Sequence, residues 1–413
     1  MNKVTFSVLL GNVVEFYDFI LFGYLSTYLS IVFFPNYDPY ISMMLTFSVF
    51  AGGCIIRPVG ALIFGHFGDT LGRKVTLKIS IAIASISTTA VGLLPSYESV
   101  GLLAPSLLLF CRLLQGFSVC GEETGAATYL IESKPKNEAG YASSLVLSSV
   151  YGGLALGAGV VFLATLLFKD NMGTIGWRIP FLLAAPFGYL AYKLRGSAKE
   201  SPVFVRLKNE NKLNQTPIFT LLKTHKKELI TGIFNCALLA VSIYMFAVYF
   251  PATIQTTLKS PGVASALIFF VTLVTALICP WMGRLTDKFG VLHFYKHSII
   301  LFIFLSGPVL FLVAQKSLLS VCIGYLLFGL MCATLTGPMF AMLASSFKDN
   351  VRYSGVTVAF NLSMTLFGSS APMVALWLTQ HSSGIPLLPF QLIFTAGVAY
   401  IGLKLSTQQR TEP

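Results

Sequence analysis

The chain has 413 residues, of which 55% are hydrophobic and 11% charged, with a mean hydropathy of +0.77. Soluble globular domains carry roughly 25% charged residues, so this composition excludes that class and indicates a polytopic membrane protein. The formal net charge of +12 would suit a nucleic-acid-binding protein, but the positions of the basic residues favour a role in orienting the chain in a membrane.

Apolar runs of transmembrane length recur along the whole chain. A membrane-spanning helix needs about 20 predominantly apolar residues. We predict twelve spans, at residues 4–31, 41–64, 76–94, 102–131, 140–168, 178–195, 229–256, 263–282, 294–314, 318–344, 353–379 and 385–405. The expected fold is an all-α integral membrane protein. The first run has no small-residue cleavage site, so we interpret it as a retained span rather than a signal peptide.

The first predicted span carries two acidic residues, Glu15 and Asp18. Charged groups in hydrocarbon are costly and are usually kept for a function. Because the two residues are three positions apart, both can face the same cavity. Two carboxylates in one low-dielectric site cannot both ionise cheaply, so we predict a proton site or a site for a substrate ammonium group. The alternative is that they are paired or solvated near the start of the helix.

The second span contains Arg57, which is followed by Pro58. Proline removes a backbone donor and loosens the helix around it. We expect Arg57 to contact a substrate carboxylate or to neutralise Asp18. The alternative is a packing role, with the guanidinium bound to backbone carbonyls.

The fourth span contains Arg112 and the adjacent pair Glu122 and Glu123. At 100° per residue, Arg112 and Glu123 share a stripe, whereas Glu122 points about 80° away from Arg112. The two glutamates are therefore expected to have different roles. A buried arginine must be paired, so the alternative to a functional Arg112 is a structural salt bridge to Glu15, Asp18 or Glu123.

Basic residues are concentrated between the sixth and seventh spans and in the loops after spans two, eight and ten. The connections on the other side are short and poor in cations. By the positive-inside rule, both termini are expected in the cytoplasm. Binding of nucleic acid or anionic lipid by residues 193–228 is the alternative interpretation of this charge.

A polar, proline-containing stretch divides the chain into two blocks of similar length. We predict an N-terminal six-helix bundle at 1–195, a cytoplasmic linker at 196–228 and a C-terminal six-helix bundle at 229–413. The loop after the second span of each block has the same pattern at one constant spacing: Gly65, Asp69 and Gly72 correspond to Gly283, Asp287 and Gly290. An internal duplication predicts two halves that meet around a central path, with the site near the membrane midplane.

The repeated loop is a candidate latch between the halves. Gly65 and Gly72 allow a tight turn, while Asp69 can accept from the amino end of a neighbouring helix and pair with Arg73. In the second copy Asp287 is kept, but the two basic residues are replaced by apolar ones, so a weaker latch is expected there. The alternative is a positively charged loop that only sets topology.

Candidate substrate contacts in the second half are uncharged. Asn361 is the preferred one, and Tyr244 could join Phe16 and Tyr17 around a quaternary ammonium group by cation–π attraction. The seven cysteines are scattered along apolar segments, so no disulfide framework, metal site or other cofactor is expected. The histidines lie in loops or near span ends, and no Ser-His-Asp set is evident, so an enzyme is not expected.

The motifs together resemble a known family of transporters. The loop GHFGDTLGRK at 65–74 resembles the cytoplasmic signature of the major facilitator superfamily. Segments that resemble its metabolite:proton symporter family, which includes importers of proline and betaine, of 2-oxoglutarate and of citrate, lie at 11–19, 56–60, 112–122, 176–181 and 351–361. The resemblance implies two pseudo-symmetric six-helix bundles in a bacterial inner membrane.

The resemblance also implies roles for several residues. Glu122 falls on the family's acidic position, and Arg112 with Gln115 resembles its fourth-helix motif, in which the arginine is linked to proton coupling. Combined with the arguments above, the candidate coupling residues are Glu15, Asp18, Arg112 and Glu122. The candidate substrate contacts are Phe16, Tyr17, Arg57, Gln115, Glu123, Tyr244 and Asn361. The candidate latch residues are Gly65, Asp69, Gly72, Arg73 and Asp287.

The expected function is proton-coupled import of a small polar metabolite by alternating access. Carboxylates outnumber cations among the candidate cavity residues, which favours a zwitterionic or cationic solute such as an amino acid or a betaine. Two arginines could instead hold a di- or tricarboxylate. An uncoupled facilitator is the other alternative. The expected partners are substrate, protons and the lipid bilayer, without nucleic acid, and the chain is expected to act as a monomer.

Overall fold

The computed structural model describes residues 3–196, 200, 202–210, 216–258, 260–315, 317–381 and 387–411, and all regular elements in these ranges are helical. The helices of the first bundle are α1 (Lys3–Tyr24), α2 (Ser26–Phe33), α3 (Pro39–Ile55), α4 (Arg57–Thr70), α5 (Arg73–Leu93), α6 (Tyr97–Val100), α7 (Leu103–Ser133), α8 (Ala139–Phe168), α9 (Arg178–Leu182) and α10 (Ala184–Gly196). Two short helices of the linker follow, α11 (Pro202–Asn209) and α12 (Pro217–Thr224). Part of the predicted linker, at 197–199, 201 and 211–215, lies outside the described residues.

The second bundle continues in the same way. Its helices are α13 (Lys226–Tyr244), α14 (Phe250–Thr257), α15 (Pro261–Phe289), α16 (Val291–Ala314), α17 (Leu318–Ser346), α18 (Arg352–Ser363), α19 (Ala371–Gln380) and α20 (Leu388–Thr411). Single π-helical turns join α13 to α14 at Met245–Tyr249 and follow α18 at Met364–Gly368. Such turns are rare and often occur at functional sites.

The predicted spans correspond to these helices. In the described part of the chain, ten helical stretches are long and apolar enough to cross a bilayer, and α1 with α2, bent by 59°, makes an eleventh. The remaining predicted span, at 178–195, covers α9 and α10, which are 5 and 13 residues long and are each too short for that criterion. The arrangement confirms the predicted all-α fold of two six-span bundles.

The second span is broken within the membrane. Helix α3 ends at Ile55 and α4 begins at Arg57, immediately before Pro58. A proline at the second position of a helix costs no hydrogen bond there, because the first turn has no internal acceptor for its N–H groups. The break leaves Arg57 at the start of a new helix.

The two bundles pack against each other along several helices. Helix α8 lies against α15 and α17 of the second bundle, and α18 lies against α4 and α7 of the first. Buried apolar side chains form one cluster that includes residues of both halves. The linker helices lie on the side of the molecule that also carries loop 65–74, since Ile218 of α12 lies beside Gly65. We call this the linker side; it is the side predicted to be cytoplasmic.

A close helix crossing inside the first bundle gives a testable prediction. A methyl group at Gly116 of α7 would lie 1.6 Å from the carbonyl oxygen of Gly53 in α3. Gly116→Ala must therefore push the helices apart, and overpacking of this kind costs about 1–3 kcal/mol. We expect a lower unfolding temperature in detergent than for Gly307→Ala, where a methyl group meets no atom within 4 Å. Equal stability of the two variants would contradict this close approach of α3 and α7.

Candidate functional site

Two arginines and four aromatic rings meet near the middle of the molecule. We call this group the arginine–aromatic cluster; it consists of Phe19, Phe22, Phe50, Arg57, Arg112 and Tyr244. The Cζ atoms of Arg57 and Arg112 lie 4.8 and 5.0 Å from the centre of the Phe19 ring. Tyr244 of the second bundle packs edge-on against Phe50, with ring centres 5.5 Å apart. Both guanidinium groups thus lie at the interface between the bundles.

Arg112 is enclosed by aromatic rings rather than by carboxylates. Its Cζ atom lies 4.6 Å from the Phe22 ring centre and 4.8 Å from that of Phe50. Its Nη1 donates to Gln115 Oε1 at 2.6 Å and, weakly, to the Phe19 carbonyl at 3.4 Å. Nε and Nη2 have no hydrogen-bonding partner among the described residues, where Arg112 also forms no ion pair. The structural salt bridge considered above is therefore not formed.

Gln115 links this arginine to α5. The Gln115 side chain accepts from Arg112 and donates through Nε2 to Thr88 Oγ1 at 2.7 Å. All of its polar atoms are thus engaged within the first bundle. Its contact with Arg112 orients the guanidinium, so the structure supports a positioning role more directly than a substrate contact.

Two of the candidate coupling carboxylates also face α5. Asp18 of α1 accepts from Ser85 Oγ at 3.2 Å, and Glu122 of α7 accepts from Ser80 Oγ at 3.4 Å. Both carboxylates are buried. They lie behind the central cluster, on the side of the first bundle that α5 covers.

Glu15 and Glu123 have different neighbours from these two residues. Glu15 interacts electrostatically with Cys120 of α7. Glu123 is buried and interacts electrostatically with Arg57 and with Cys236 of α13. Glu122 and Glu123 therefore face different sides of α7, as their helical spacing predicted.

Residues of the second bundle form polar contacts around the arginine–aromatic cluster. The Tyr244 hydroxyl lies 3.5 Å from the Cys54 sulfur. Asn361 donates to the Cys120 carbonyl at 3.3 Å and to the Thr357 carbonyl at 2.9 Å. Asn361 therefore bridges the bundles through backbone acceptors, and its assignment as a substrate contact stays a prediction that these contacts do not support.

Phe16 and Tyr17 lie apart from Tyr244 in the first bundle. The Tyr17 hydroxyl donates to the Pro180 carbonyl at 2.6 Å, and its ring packs on Phe187 with centres 5.2 Å apart. Phe16 packs against α8 at Gly153. The expected three-ring cage is not assembled in this conformation. Phe19, Phe22 and Phe50 surround the arginines instead, and an apolar ring in an apolar helix carries no sequence signal for that role.

On the linker side, each bundle caps a helix of the other. Asp69 Oδ2 accepts from the backbone N–H and the hydroxyl of Ser354, at 3.1 and 2.6 Å, in the first turn of α18. Asp287 accepts from the backbone N–H groups of Gly140 and Tyr141, at 2.7 and 2.8 Å, in the first turn of α8. Carboxylates stabilise helix amino termini by these bonds and by the helix dipole. We call these contacts the reciprocal caps.

The other latch candidates lie beside the first cap. The Gly65 carbonyl accepts from the Ser354 hydroxyl at 3.3 Å. Gly72 precedes α5 with φ at 105°, a conformation that favours glycine. The side chain of Arg73 lies outside the described residues. Each aspartate accepts two hydrogen bonds from the helix that it caps, so the expected weakness of the second latch stays a prediction.

The opposite side is also closed by a contact between the bundles. Thr27 donates to Gln255 Oε1 at 2.9 Å, and Gln255 Nε2 donates to the Tyr24 carbonyl at 3.0 Å. The arginine–aromatic cluster lies between this contact and the reciprocal caps, with Arg57 and Arg112 almost fully buried. A polar site enclosed between two sets of breakable contacts is the arrangement that alternating access requires.

Comparisons with known proteins agree with this architecture. The xylose:proton symporter XylE bound to 6-bromo-6-deoxy-D-glucose has a TM-score of 0.75 at 16% identity, over 100% of this chain and 95% of that one. A partially occluded inward-open XylE from E. coli gives 0.73 at 17% identity, over 100% and 99%. At these identities the likeness shows the fold alone.

Sequence relatives are closer. A proline/betaine transporter of Escherichia coli K12 is 33% identical, over 97% of this chain and 82% of its own length. The glycine betaine/proline/ectoine/pipecolic acid transporter OusA of Dickeya dadantii is 34% identical, over 98% and 82%. The family model described as Major Facilitator Superfamily matches residues 16–372. With its two bundles, its reciprocal caps and these relatives, the chain belongs to the major facilitator superfamily.

Proposed function

We propose that this protein imports a small zwitterion, of the betaine or proline type, together with protons by alternating access. The observation that carries the proposal is Arg112, a buried guanidinium with two N–H-bearing nitrogens that no described residue uses. A buried cation without a counter-charge is costly, so the site favours a ligand that brings a carboxylate. Arginine binds carboxylates in a bidentate manner through such paired donors.

In this proposal, the cationic end of the substrate contacts aromatic rings. The Tyr244 and Phe50 rings pack against each other beside Arg57 and Arg112, and aromatic faces attract ammonium groups. The buried Glu123 carboxyl group interacts electrostatically with Arg57. A solute with separated positive and negative ends therefore matches the site better than a solute with one kind of charge.

The contacts of the candidate carboxylates support a particular charge type of substrate. Asp18 and Glu122 bind hydroxyls of α5 and do not join the central cluster. The centre then contains Arg57 and Arg112. Glu123 interacts electrostatically with Arg57, and Glu15 with the neighbouring Cys120, whereas Arg112 has no counter-ion among the described residues. This balance supports a zwitterion or an anion and argues against a purely cationic solute.

Helix α5 supports a mechanism for coupling. Serine hydroxyls of α5 donate to Glu122 and Asp18. The hydroxyl of Thr88 accepts from Gln115, which in turn accepts from Arg112. Ser85 and Thr88 are three residues apart and thus neighbours on one face. Protonation of Glu122 or Asp18 weakens acceptance from Ser80 or Ser85, and a resulting shift of α5 is transmitted through Thr88 and Gln115 to the guanidinium. Proton and substrate thus occupy separate sites joined by one rigid helix.

The reciprocal caps are proposed to close the cytoplasmic side and to break as the bundles rock. In this proposal both termini lie in the cytoplasm of a bacterial inner membrane, and one chain is the functional unit. The positive charge of the linker side supports that orientation.

Uptake by proteoliposomes tests the function. We expect labelled glycine betaine or proline to accumulate when the outside is acidic, because protons are a co-substrate, and accumulation to collapse with a protonophore. Glu122→Gln is expected to reduce uphill uptake at least tenfold while substrate exchange continues. Ser99→Ala, which removes an exposed hydroxyl of the short helix α6, serves as the control.

Three outcomes would revise the proposal. Uptake that ignores the pH gradient would identify an uncoupled facilitator. Accumulation of dicarboxylates instead of zwitterions would identify an organic-anion symporter. Loss of exchange together with uphill uptake in Glu122→Gln would move Glu122 from coupling to binding or folding.

A further inference from the structure

A groove lies on the lipid-facing surface between α5 and α10, away from the central cluster. Its volume is about 550 Å³, and its walls are mainly small side chains such as Ala82 and Ala90 of α5 and Ala185 of α10. Exposed apolar side chains border it, including Ile86 with 71% of its surface exposed. Within a membrane span, such a surface faces acyl chains.

The linker-side end of the groove carries two positive charges. Lys78 Nζ lies 5.2 Å from the ring centre of Tyr192, and Lys193 Nζ lies 5.9 Å from that of Tyr189. Both tyrosines line the groove. Among the described residues neither lysine forms an ion pair, so both ammonium groups are available at the end of an apolar channel.

We propose that this groove binds an anionic phospholipid of the linker-side leaflet. One acyl chain lies between α5 and α10, and the phosphate contacts Lys78 and Lys193. From Ala82 to Leu93 the groove extends about 16 Å along α5, which matches one leaflet of a hydrocarbon core about 30 Å thick. Basic pockets between transmembrane helices on the cytoplasmic side select anionic headgroups, whereas a choline headgroup would place a cation beside the lysines.

The floor of the groove connects this site to Asp18. Ser85 lines the groove and donates its hydroxyl to the Asp18 carboxylate. Gly188 of α10 packs directly on Ser85, since a methyl group at Gly188 would lie 1.8 Å from Ser85 Oγ. A bound acyl chain therefore stabilises the spacing of the helices that enclose Asp18. The lipid site itself does not depend on the proposed transport function.

Thermal unfolding of the purified full chain in detergent tests the proposal. We expect phosphatidylglycerol to raise the unfolding temperature by several degrees more than phosphatidylcholine with the same acyl chains. Lys78→Gln combined with Lys193→Gln should weaken the apparent affinity for phosphatidylglycerol about 30-fold. Each lysine near an anionic headgroup increases the affinity about fivefold.

A matched control is available in Lys223→Gln combined with Lys288→Gln. These lysines also lie over aromatic rings, 5.7 Å from Phe219 and 5.7 Å from Phe289, but they do not line the groove. The control should keep the full response to phosphatidylglycerol. Equal responses to both lipids, or equal losses in the test and control pairs, would overturn the proposal.

A second variant tests the acyl chain separately. Ala185 is exposed in the groove, so Ala185→Trp fills it without entering the protein core. This variant should keep both lysines and lose the stabilisation by phosphatidylglycerol. If it responds as the parent does, or if soluble glycerol phosphate alone reproduces the shift, the groove does not hold a lipid chain.

Discussion

Replacing Arg112 with glutamine is expected to weaken substrate binding at least 30-fold while leaving the unliganded protein as stable as the parent or more stable. Removing one member of a buried charge pair costs about 2–5 kcal/mol of binding free energy. Without substrate, Arg112 has no counter-ion among the described residues, so its removal relieves a desolvation cost. If Arg112 had only a structural role, its replacement would lower the stability of the unliganded protein and leave substrate binding unchanged.

The measurement is thermal unfolding of the purified protein with and without glycine betaine, proline, a dicarboxylate and arginine. The parent should be stabilised by the zwitterions, and Arg112→Gln by none of the four. Arg112→Lys retains the charge but loses the paired donors, so it should bind weakly rather than not at all.

The control is Arg284→Gln. Arg284 lies over the ring of Tyr141, at 5.1 Å, on the linker side and far from the central cluster. It should respond to substrate as the parent does. Normal ligand stabilisation of Arg112→Gln would remove the carboxylate site from the mechanism. A large loss of stability without ligand would instead identify Arg112 as a structural residue.

Removing both reciprocal caps should open the linker side. Asp69→Ala and Asp287→Ala each delete a cap on a helix of the opposite bundle, and loss of a cap costs about 1 kcal/mol. Together they should change the ratio of closed to open molecules by up to about 30-fold. The fold should persist, because the cap bonds of both aspartates lie between the bundles.

Maleimide labelling of a reporter cysteine measures this opening. Thr357 is fully buried and its hydroxyl lies 2.9 Å from that of Thr124 in the other bundle, so Thr357→Cys reports access between the halves. Site-specific mass spectrometry separates it from the native cysteines. Labelling should accelerate in the double variant.

Asp38→Ala is the matched control for the caps. Asp38 accepts from Tyr40 N–H at 2.9 Å and caps α3 of its own bundle. It therefore loses a cap of similar energy without breaking a contact between the halves, and labelling of Thr357→Cys should not change. If all three aspartate variants accelerate labelling equally, the effect is general loosening and the reciprocal caps are not a latch.

The helices were predictable because hydrophobic length alone defines a membrane span. The break at Ile56 follows from Pro58, which the sequence shows directly. The division of α9 from α10 was not predicted, since the apolar run at 178–195 continues across it. The hydrogen bonds between Asp69 and α18 were not predictable, because the sequence does not show which helix packs against Asp69.

The central site was only partly predictable. Charged residues in apolar helices identified Arg57 and Arg112 because such residues are rare in membranes. The direction of each carboxylate was harder to infer: Asp18 and Glu122 face serines of α5, and a serine in an apolar helix is too common to be a signal. Counting charges along the sequence does not show which carboxylates face the arginine–aromatic cluster.

The reciprocal caps also bear on how this interface could be detected in related sequences. Paired positions that covary usually reveal a spatial contact. Asp287, however, binds main-chain amides of Gly140 and Tyr141, which every amino acid except proline provides. The Tyr141 side of that contact is therefore free to vary, whereas Gly140 is constrained only by space, since a methyl group there would lie 2.7 Å from Asp287 Oδ1. Covariation should identify the pair of Asp69 with Ser354, whose hydroxyl takes part, and should miss its counterpart in the other half.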